Sequence, residues 1–356
     1  MKRLLIEYQV FLSRVEEIRN FLTQITKNSH VERIQDVFKD EDKEIAEYAI
    51  FLKALTSSKL VYNAIIISLY GCFENYFDKL LSVYIEILTE NKKTYDDLPK
   101  KFKDKYRAKF GDFLTNPQRF SGLELDLTNE ITNYHKLLQS DLSGTVNKYF
   151  VLSHSGNLRV NEIFSLMRDL GIDNAKDLVL DLPIFKSYYI KNGMDDIEYN
   201  AKRARKTDEF FYPIECLIEQ RNSVAHSWNV DDRITLREIN DVIVPFIIMF
   251  CDCVYRVCVL DAFSLNLNCE TFKNEEPLKV FRNHIVCMNN QNHKISRGDY
   301  ILYSSDDNMK IARIEKIQKE GKDILFVSDE QSDDIGLQLD TTIKQSDKLK
   351  MVINSI

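Results

Sequence analysis

From Lys59 to Thr89 the sequence runs without a proline and with a single glycine, Gly71. Its first half, from Leu60 to Leu69, is apolar on almost every side. A helix of that kind is stable in water only when other elements surround it. Thr56-Ser57-Ser58 places N-cap hydroxyls just before it. The run therefore predicts a long central helix over about 59–89, with a helical bundle built around it. A glycine inside such a helix costs about 1 kcal/mol relative to alanine, so Gly71 is expected to permit close approach of a neighbour. Glu74 sits between Phe73 and Tyr76-Phe77. It is expected either on a solvent stripe of this helix or paired with a cation across the bundle.

The rest of the composition agrees with long elements, since 356 residues hold only 10 Gly and 6 Pro. At roughly 150 residues per domain the length suggests about two domains. A formal net charge of -7 excludes a global nucleic-acid signature, so any basic surface must be local. The seven cysteines, at 72, 216, 251, 253, 258, 269 and 287, are odd in number and form no CxxC pair. They read as reduced thiols, and a cytoplasmic location is expected. The N-terminal twenty residues carry charges every few positions, unlike a signal peptide. Residues 242–260 are nearly long and apolar enough to span a bilayer, but Asp252 and Arg256 interrupt them, so a buried helix and no membrane partner are expected.

Before the central helix, Leu4, Leu5, Tyr8, Phe11, Leu12, Val15, Ile18, Phe21, Leu22 and Ile25 recur every three or four residues, as on one face of a helix over 3–27. A second run, Val31 to Tyr48, would complete an N-terminal helical hairpin. After Asn91 comes a local basic stretch, about +5 over residues 92–109, that includes Lys100, Lys101, Lys103, Lys105 and Arg107. Tyr95, Phe102, Tyr106 and Phe110 alternate with these charges, a composition that suits a phosphate backbone. A solvated amphipathic helix reads the same way. Residues 111–200 alternate turn signals with short helical segments, and Gly171 is expected to stop one of them. Lys202, Arg203, Arg205 and Lys206 form a second basic cluster.

Beyond Asp231-Asp232-Arg233 a further helix is expected, with Pro245 kinking it or starting its second half. From about Ser264 the texture changes to short strand-like runs at 280–281, 285–287, 300–303, 311–314, 324–327 and 349–353. Their spacing predicts a small barrel or curled sheet of five or six strands. The boundaries expected are 1–57 for the N-terminal helices, 58–263 for the helical domain with an insertion at about 92–200, and 264–356 for the sheet. The overall class is mainly α, or α+β with the sheet counted.

The best lead to function is Glu215–Trp228, ECLIEQRNSVAHSW. If Pro213 to His226 is helical, Glu215, Glu219, Asn222 and His226 share a face, and Arg221 lies about 140° round from His226. Histidine accepts and donates protons near neutral pH. Arginine offers a planar fork that matches phosphate oxygens and stabilises charge as it develops. Together they suit attack of an RNA 2′-hydroxyl on its adjacent phosphate, a reaction that selects RNA over DNA. By chance the Arg-to-His spacing alone would occur roughly 0.3 times in such a chain, and an adjacent Asn lowers that by about tenfold. The bland alternative is a histidine that caps the helix C-terminus, with Arg221 merely on the surface. No His/Cys/Asp cluster has ligand spacing, so no metal and no cofactor is expected.

Arg221-Asn222-Ser223-Val224-Ala225-His226 resembles the RNxxxH motif of HEPN-domain proteins. Ile67 to Tyr76 resembles the first core helix of HEPN subgroups from phage-defence and toxin systems, and Gly156 to Ile172 is similar to further segments of them. The resemblance spans about 58–262. It implies a HEPN helical bundle that dimerises, bringing two Arg/His pairs into one cleft. It further implies a metal-independent endoribonuclease that leaves 2′,3′-cyclic phosphate ends, acting as a toxin or anti-phage effector with RNA as substrate. An antitoxin or defence-system partner is implied as well. Carried over by position, Arg221 and His226 would be catalytic, Asn222 would support them and Glu74 would orient them. The competing expectation is a non-catalytic HEPN module that binds RNA, nucleotide or a protein partner. For the C-terminal sheet the expectation is partner binding or control.

Overall fold

The computed structural model of the chain describes residues 1–28, 58–92, 94–118, 120, 125–139, 146–154, 156–226, 233–265, 271–306, 308–330 and 332–353, with a few helical positions between 44 and 54. The amphipathic run expected at 31–48 lies almost entirely outside them.

The helices are α1 (Lys2–Asn28), α2 (Lys59–Asn91), α3 (Lys100–Thr115), α4 (Leu127–Leu138), α5 (Tyr149–Leu152), α6 (Val160–Asp169), α7 (Ala175–Asp181), α8 (Pro183–Lys191), α9 (Asp196–Arg205), α10 (Tyr212–His226) and α11 (Leu236–Ser264). Ser58 starts α2, its hydroxyl accepting the Val61 N–H at 3.4 Å. Such a cap contributes about 1 kcal/mol. α2 is central: α1, α10 and α11 all pack against it. The stripe read from the α1 sequence is the face that α1 buries, Leu4, Leu5, Tyr8, Phe11, Val15, Leu22 and Ile25, while Phe21 points outward.

α11 begins at Leu236, a few residues later than Asp231-Asp232-Arg233 suggested. Thr235 and Glu238 set the start with a capping box, Thr235 Oγ1 accepting the Glu238 N–H at 3.1 Å and Glu238 Oε2 accepting the Thr235 N–H at 2.9 Å. Pro245 stands at the head of its regular α-helical part, Val244–Ser264, where a missing N–H costs little. Among the described residues α11 is the one helix long and apolar enough to cross a membrane, and 83% of its most apolar stretch is buried, as in a core helix. The six described cysteines are free.

The insertion helices close one end of the bundle. A train of rings, Phe164, Phe211, Phe250, Phe246 and Phe185, packs them onto α11. Gly171 ends α6 at φ +102, with the Ile172 N–H returning to the Met167 carbonyl at 3.0 Å. Only glycine takes that φ cheaply. Gly71, by contrast, is exposed and a Cβ there would meet nothing within 4 Å. The close helix approach expected at Gly71 is absent among the described residues.

The C-terminal strands are β1 (Lys279–Phe281), β2 (Ile285–Asn289), β3 (Ile295–Ser296), β4 (Tyr300–Ser305), β5 (Asn308–Lys319), β6 (Lys322–Ile324), β7 (Phe326–Val327), β8 (Asp334–Leu339) and β9 (Lys348–Ile353). They pair antiparallel in the order β1-β2-β8-β5-β4-β9, with β6 on β5 and β3 on β7. Residues 272–275 bond to β9, through the Phe272 N–H to the Lys350 carbonyl and the Leu349 N–H to the Glu275 carbonyl, both 2.7 Å. The chain then runs directly into β1, so the sheet curls back on itself. Side chains alternate along β4: Ile301 and Tyr303 fill the core of the sheet, whereas Tyr300 and Leu302 join the core of the helical bundle.

Arg256 of α11, 2% exposed, ties the two parts together. It bonds Asp252 at 2.8 Å and also Asp340 of the β8–β9 segment and the Ile311 carbonyl of β5. Its guanidinium lies 5.1 Å from the Tyr300 ring, and the Tyr300 hydroxyl donates to Asp252. Burial works against the charge of Arg256, but the two carboxylates hold its proton more firmly than usual.

Candidate functional site

Three segments distant in sequence meet where α10 crosses α2. Arg221 is half-buried, with its guanidinium 5.2 Å from the ring centre of Tyr70 on α2. The Tyr70 hydroxyl donates to Glu74, one turn further along, at 2.9 Å, and accepts the Leu158 N–H at 2.8 Å. Burial raises the Tyr70 hydroxyl's pKa, the Leu158 N–H opposes this, and the Glu74 carboxylate adds to it. Tyr70 therefore stays protonated and serves as a fixed donor to Glu74. Next to Leu158, the Asn157 amide donates to Asn222 Oδ1, which Arg221 Nη1 also approaches at 3.4 Å. Arg159 closes the set with an ion pair to Glu215 at the start of α10.

The loop at 156–159 is thereby held to both helices, and it fixes one face of Asn222. Arg221 keeps most of its donors open, for among the described residues no carboxylate pairs with it. His226, the last residue of α10, is exposed and makes no hydrogen bond or ion pair among the described residues. On one helix Arg221 and His226 diverge, as the helical spacing requires. Glu74 follows neither of the two arrangements expected of it: it is half-buried and accepts a hydrogen bond from the Tyr70 hydroxyl rather than facing open solvent or meeting a cation.

Tyr70 and Asn157 are the site residues that local sequence reading passes over. The one available signal was Tyr70 four residues before Glu74, a spacing that brings two helical side chains together.

The basic runs behave differently. On α3 the rings of Phe102, Tyr106, Phe110 and Phe113 are buried, so the alternation of aromatic and basic residues is an amphipathic helix rather than a row of stacking platforms. Lys101 pairs with Asp173 at 2.6 Å and Lys105 with Asp169 at 3.1 Å, and Lys103 bonds the Asp96 carbonyl at 2.8 Å. Lys202 pairs with Glu198 and Glu209 at 3.2 Å each, Arg203 with Asp177 and Asp181 at 2.9 Å each, and Lys206 with Asp177 at 2.8 Å. Of the nine cations only Lys100, Arg107 and Arg205 have no ion pair among the described residues. Glu209, which Lys202 holds, precedes Arg221 by twelve residues of mostly helical chain, roughly 18 Å. The second cluster is therefore not gathered at Arg221.

Among the described residues no group of three or more His, Cys, Asp or Glu is placed to hold a metal ion. The family model RiboL-PSP-HEPN matches residues 10–259, which takes in most of α1, the central helix, the loop at 156–159 and the α10 site. No curated protein and no solved structure matches the chain. The match covers well over half the length and ends within α11, leaving the curled sheet outside it, and the chain belongs to the RiboL-PSP-HEPN family.

Proposed function

We propose that the protein is an endoribonuclease of HEPN type that cleaves RNA without a metal ion. One observation carries the reading: Arg221 and Asn222 are held in place by Tyr70 and Asn157 while, among the described residues, no carboxylate pairs with Arg221 and no hydrogen bond or ion pair engages the ring of His226. In this reading His226 takes the proton of a 2′-hydroxyl as it attacks the neighbouring phosphate. Arg221 stabilises the charge that grows on the phosphate oxygens. Asn222 keeps its amide for the same phosphate, and Glu74, through Tyr70, orients the platform beneath Arg221.

The divergence of Arg221 and His226 on one helix supports a site completed by a second copy of the chain. α2 offers a surface for it, because Leu60 and Ile67 are 66% and 53% exposed and Gly71 lies bare on the same stripe. A homodimer that buries this stripe would bring two α10 helices to one cleft. Cytoplasmic RNA is the proposed substrate, and toxin or anti-phage effector is the proposed role, with an antitoxin or defence-system protein as its partner.

Purified protein is expected to cleave RNA in EDTA and to leave 2′,3′-cyclic phosphate ends. His226→Ala should remove that activity with an unchanged unfolding midpoint, since the side chain is exposed and makes no hydrogen bond or ion pair among the described residues. Cleavage that persists in His226→Ala would overturn the assignment. A second reading, a module that binds RNA or a protein without cutting it, gains support from Asn222, whose oxygen Asn157 already occupies. It would show RNA binding that weakens steeply with salt and no product in any buffer.

A further inference from the structure

One turn beyond Glu74 on the solvent side of α2, a cavity of about 820 Å³ opens between α1, α2 and the segment that begins with α5. Asn75, Asp78 and Ser82 form its α2 wall, and Lys148, Ser153 and His154 face them. Of its Lys and Arg side chains, Lys79 makes no ion pair among the described residues, but Arg3 and Lys148 are already engaged by Glu86, Arg3 at 3.0 Å. Two of its acceptors are not. Among the described residues neither the Asn75 amide nor the Asp78 carboxylate has a hydrogen bond or ion pair, and Ser153 Oγ is buried without a partner. The cavity is also joined to the Arg221 site. His154 Nδ1 lies 2.9 Å from the Gly156 carbonyl, and Asn157, next in the chain, reaches Asn222. Asp78 follows Glu74 by four residues, so their side chains lie roughly 6 Å apart on one face.

Building on the ribonuclease reading, we propose that this cavity is a base-selecting subsite that takes a guanine adjoining the scissile phosphate. A cavity of this size accommodates a nucleoside. Its lining sets Glu7, Asp78 and Glu86 against Arg3, Lys79 and Lys148, so it carries no excess of positive charge and suits a base better than a phosphate. An ionised carboxylate only accepts hydrogen bonds. Of the four RNA bases, guanine alone sets two neighbouring N–H donors, N1–H and N2–H, on its Watson–Crick edge. Adenine and cytosine each place one amino donor beside an acceptor, and uracil places one donor between two acceptors. Asp78 therefore complements guanine, and the Asn75 amide supplies a donor for its O6. Unpaired RNA bases are read on this edge.

The test is equilibrium binding of the four nucleoside 5′-monophosphates to the full chain, alongside a cleavage map on mixed-sequence RNA. GMP is expected to bind about tenfold more tightly than AMP, the difference one good bidentate pair supplies. Asp78→Asn replaces one acceptor with a donor, so the preference should vanish or turn towards adenine, and cutting should no longer follow guanine. Among the described residues the Asp78 side chain makes no hydrogen bond or ion pair, so the variant is expected to fold as the parent does, and an unchanged unfolding midpoint checks this. Equal affinity for all four nucleotides, or a guanine preference that survives Asp78→Asn, overturns the subsite. Binding is read without cleavage, so a chain that selects GMP but cuts no RNA would refute the ribonuclease reading and leave the guanine site standing.

Discussion

Three arginines lie against tyrosine rings at nearly the same distance, Arg233 on Tyr62 and Arg221 on Tyr70 at 5.2 Å and Arg256 on Tyr300 at 5.1 Å, and the last two make the sharpest contrast. Everything around them differs. Arg256 is sealed between helix and sheet, and Asp252, Asp340 and the Ile311 carbonyl take up its donors. Arg221 has one side-chain oxygen nearby, that of Asn222, and no carboxylate among the described residues. A buried cation whose fork is saturated by fixed anions is a structural joint. A half-buried one resting on a ring, with no carboxylate beside it among the described residues, is left able to meet an anion from outside. The same pair of residue types is thus closed in one place and open in the other, and the carboxylates decide which.

The sharpest way to break this contrast is to open the closed cluster. Arg256→Ala leaves Asp252 and Asp340 buried without their cation, a change that costs about 3–5 kcal/mol. Urea denaturation should show it as a lower midpoint, and a loss below 1 kcal/mol would mean that water reaches the joint. Next comes Arg221→Lys, which keeps the charge but removes the fork and its stacking on Tyr70. Cleavage should fall by about 10²–10³, the scale of losing one oxyanion donor, while stability stays within about 0.5 kcal/mol. A drop in stability as large as that of Arg256→Ala would make Arg221 another structural joint. The smallest effect on cleavage belongs to Tyr70→Phe, which keeps the ring beneath Arg221 but removes the hydroxyl between Glu74 and Leu158. It should cost about 1–2 kcal/mol of stability and less than tenfold in cleavage. If it matched Arg221→Lys in the assay, the hydroxyl would belong to the chemistry rather than to the platform.

What could be read from the sequence follows range. The apolar runs of α2 and α11 and the stripe of α1 were legible because a helix writes its burial into neighbouring turns. Most strands were legible as short β-branched runs. β8 was not: Asp333 precedes it, Asp334 opens it and Gly336 interrupts it, so Ile335, Leu337 and Leu339 do not stand out as a period of two, although β8 lies between β2 and β5 at the centre of the sheet. The charge balance of the basic runs was hidden for a related reason. The partners that neutralise Lys101, Lys105 and Arg203 are Asp173, Asp169, Asp177 and Asp181, between 22 and 72 residues away, and a local charge count omits them. Within the site, Arg221, Asn222 and His226 stood out by spacing on one helix. Asn157 and Tyr70 did not, because their bonds join positions 65 and 88 residues apart.

The Arg256–Asp340 pair also sets a clock. The two residues are 84 positions apart, and Asp340 is the later one to leave the ribosome. At about 5–20 residues per second, roughly 4–17 seconds pass between them during synthesis. Through that interval α11 carries an arginine with half its anions, so the helix that backs the α2–α10 crossing cannot settle into its final burial. A nascent chain thus already holds the complete stretch from Tyr70 to His226 but lacks the last support of the bundle that aligns it. For a protein proposed to attack RNA, the order of translation itself postpones assembly until the chain has moved well past its own cutting residues.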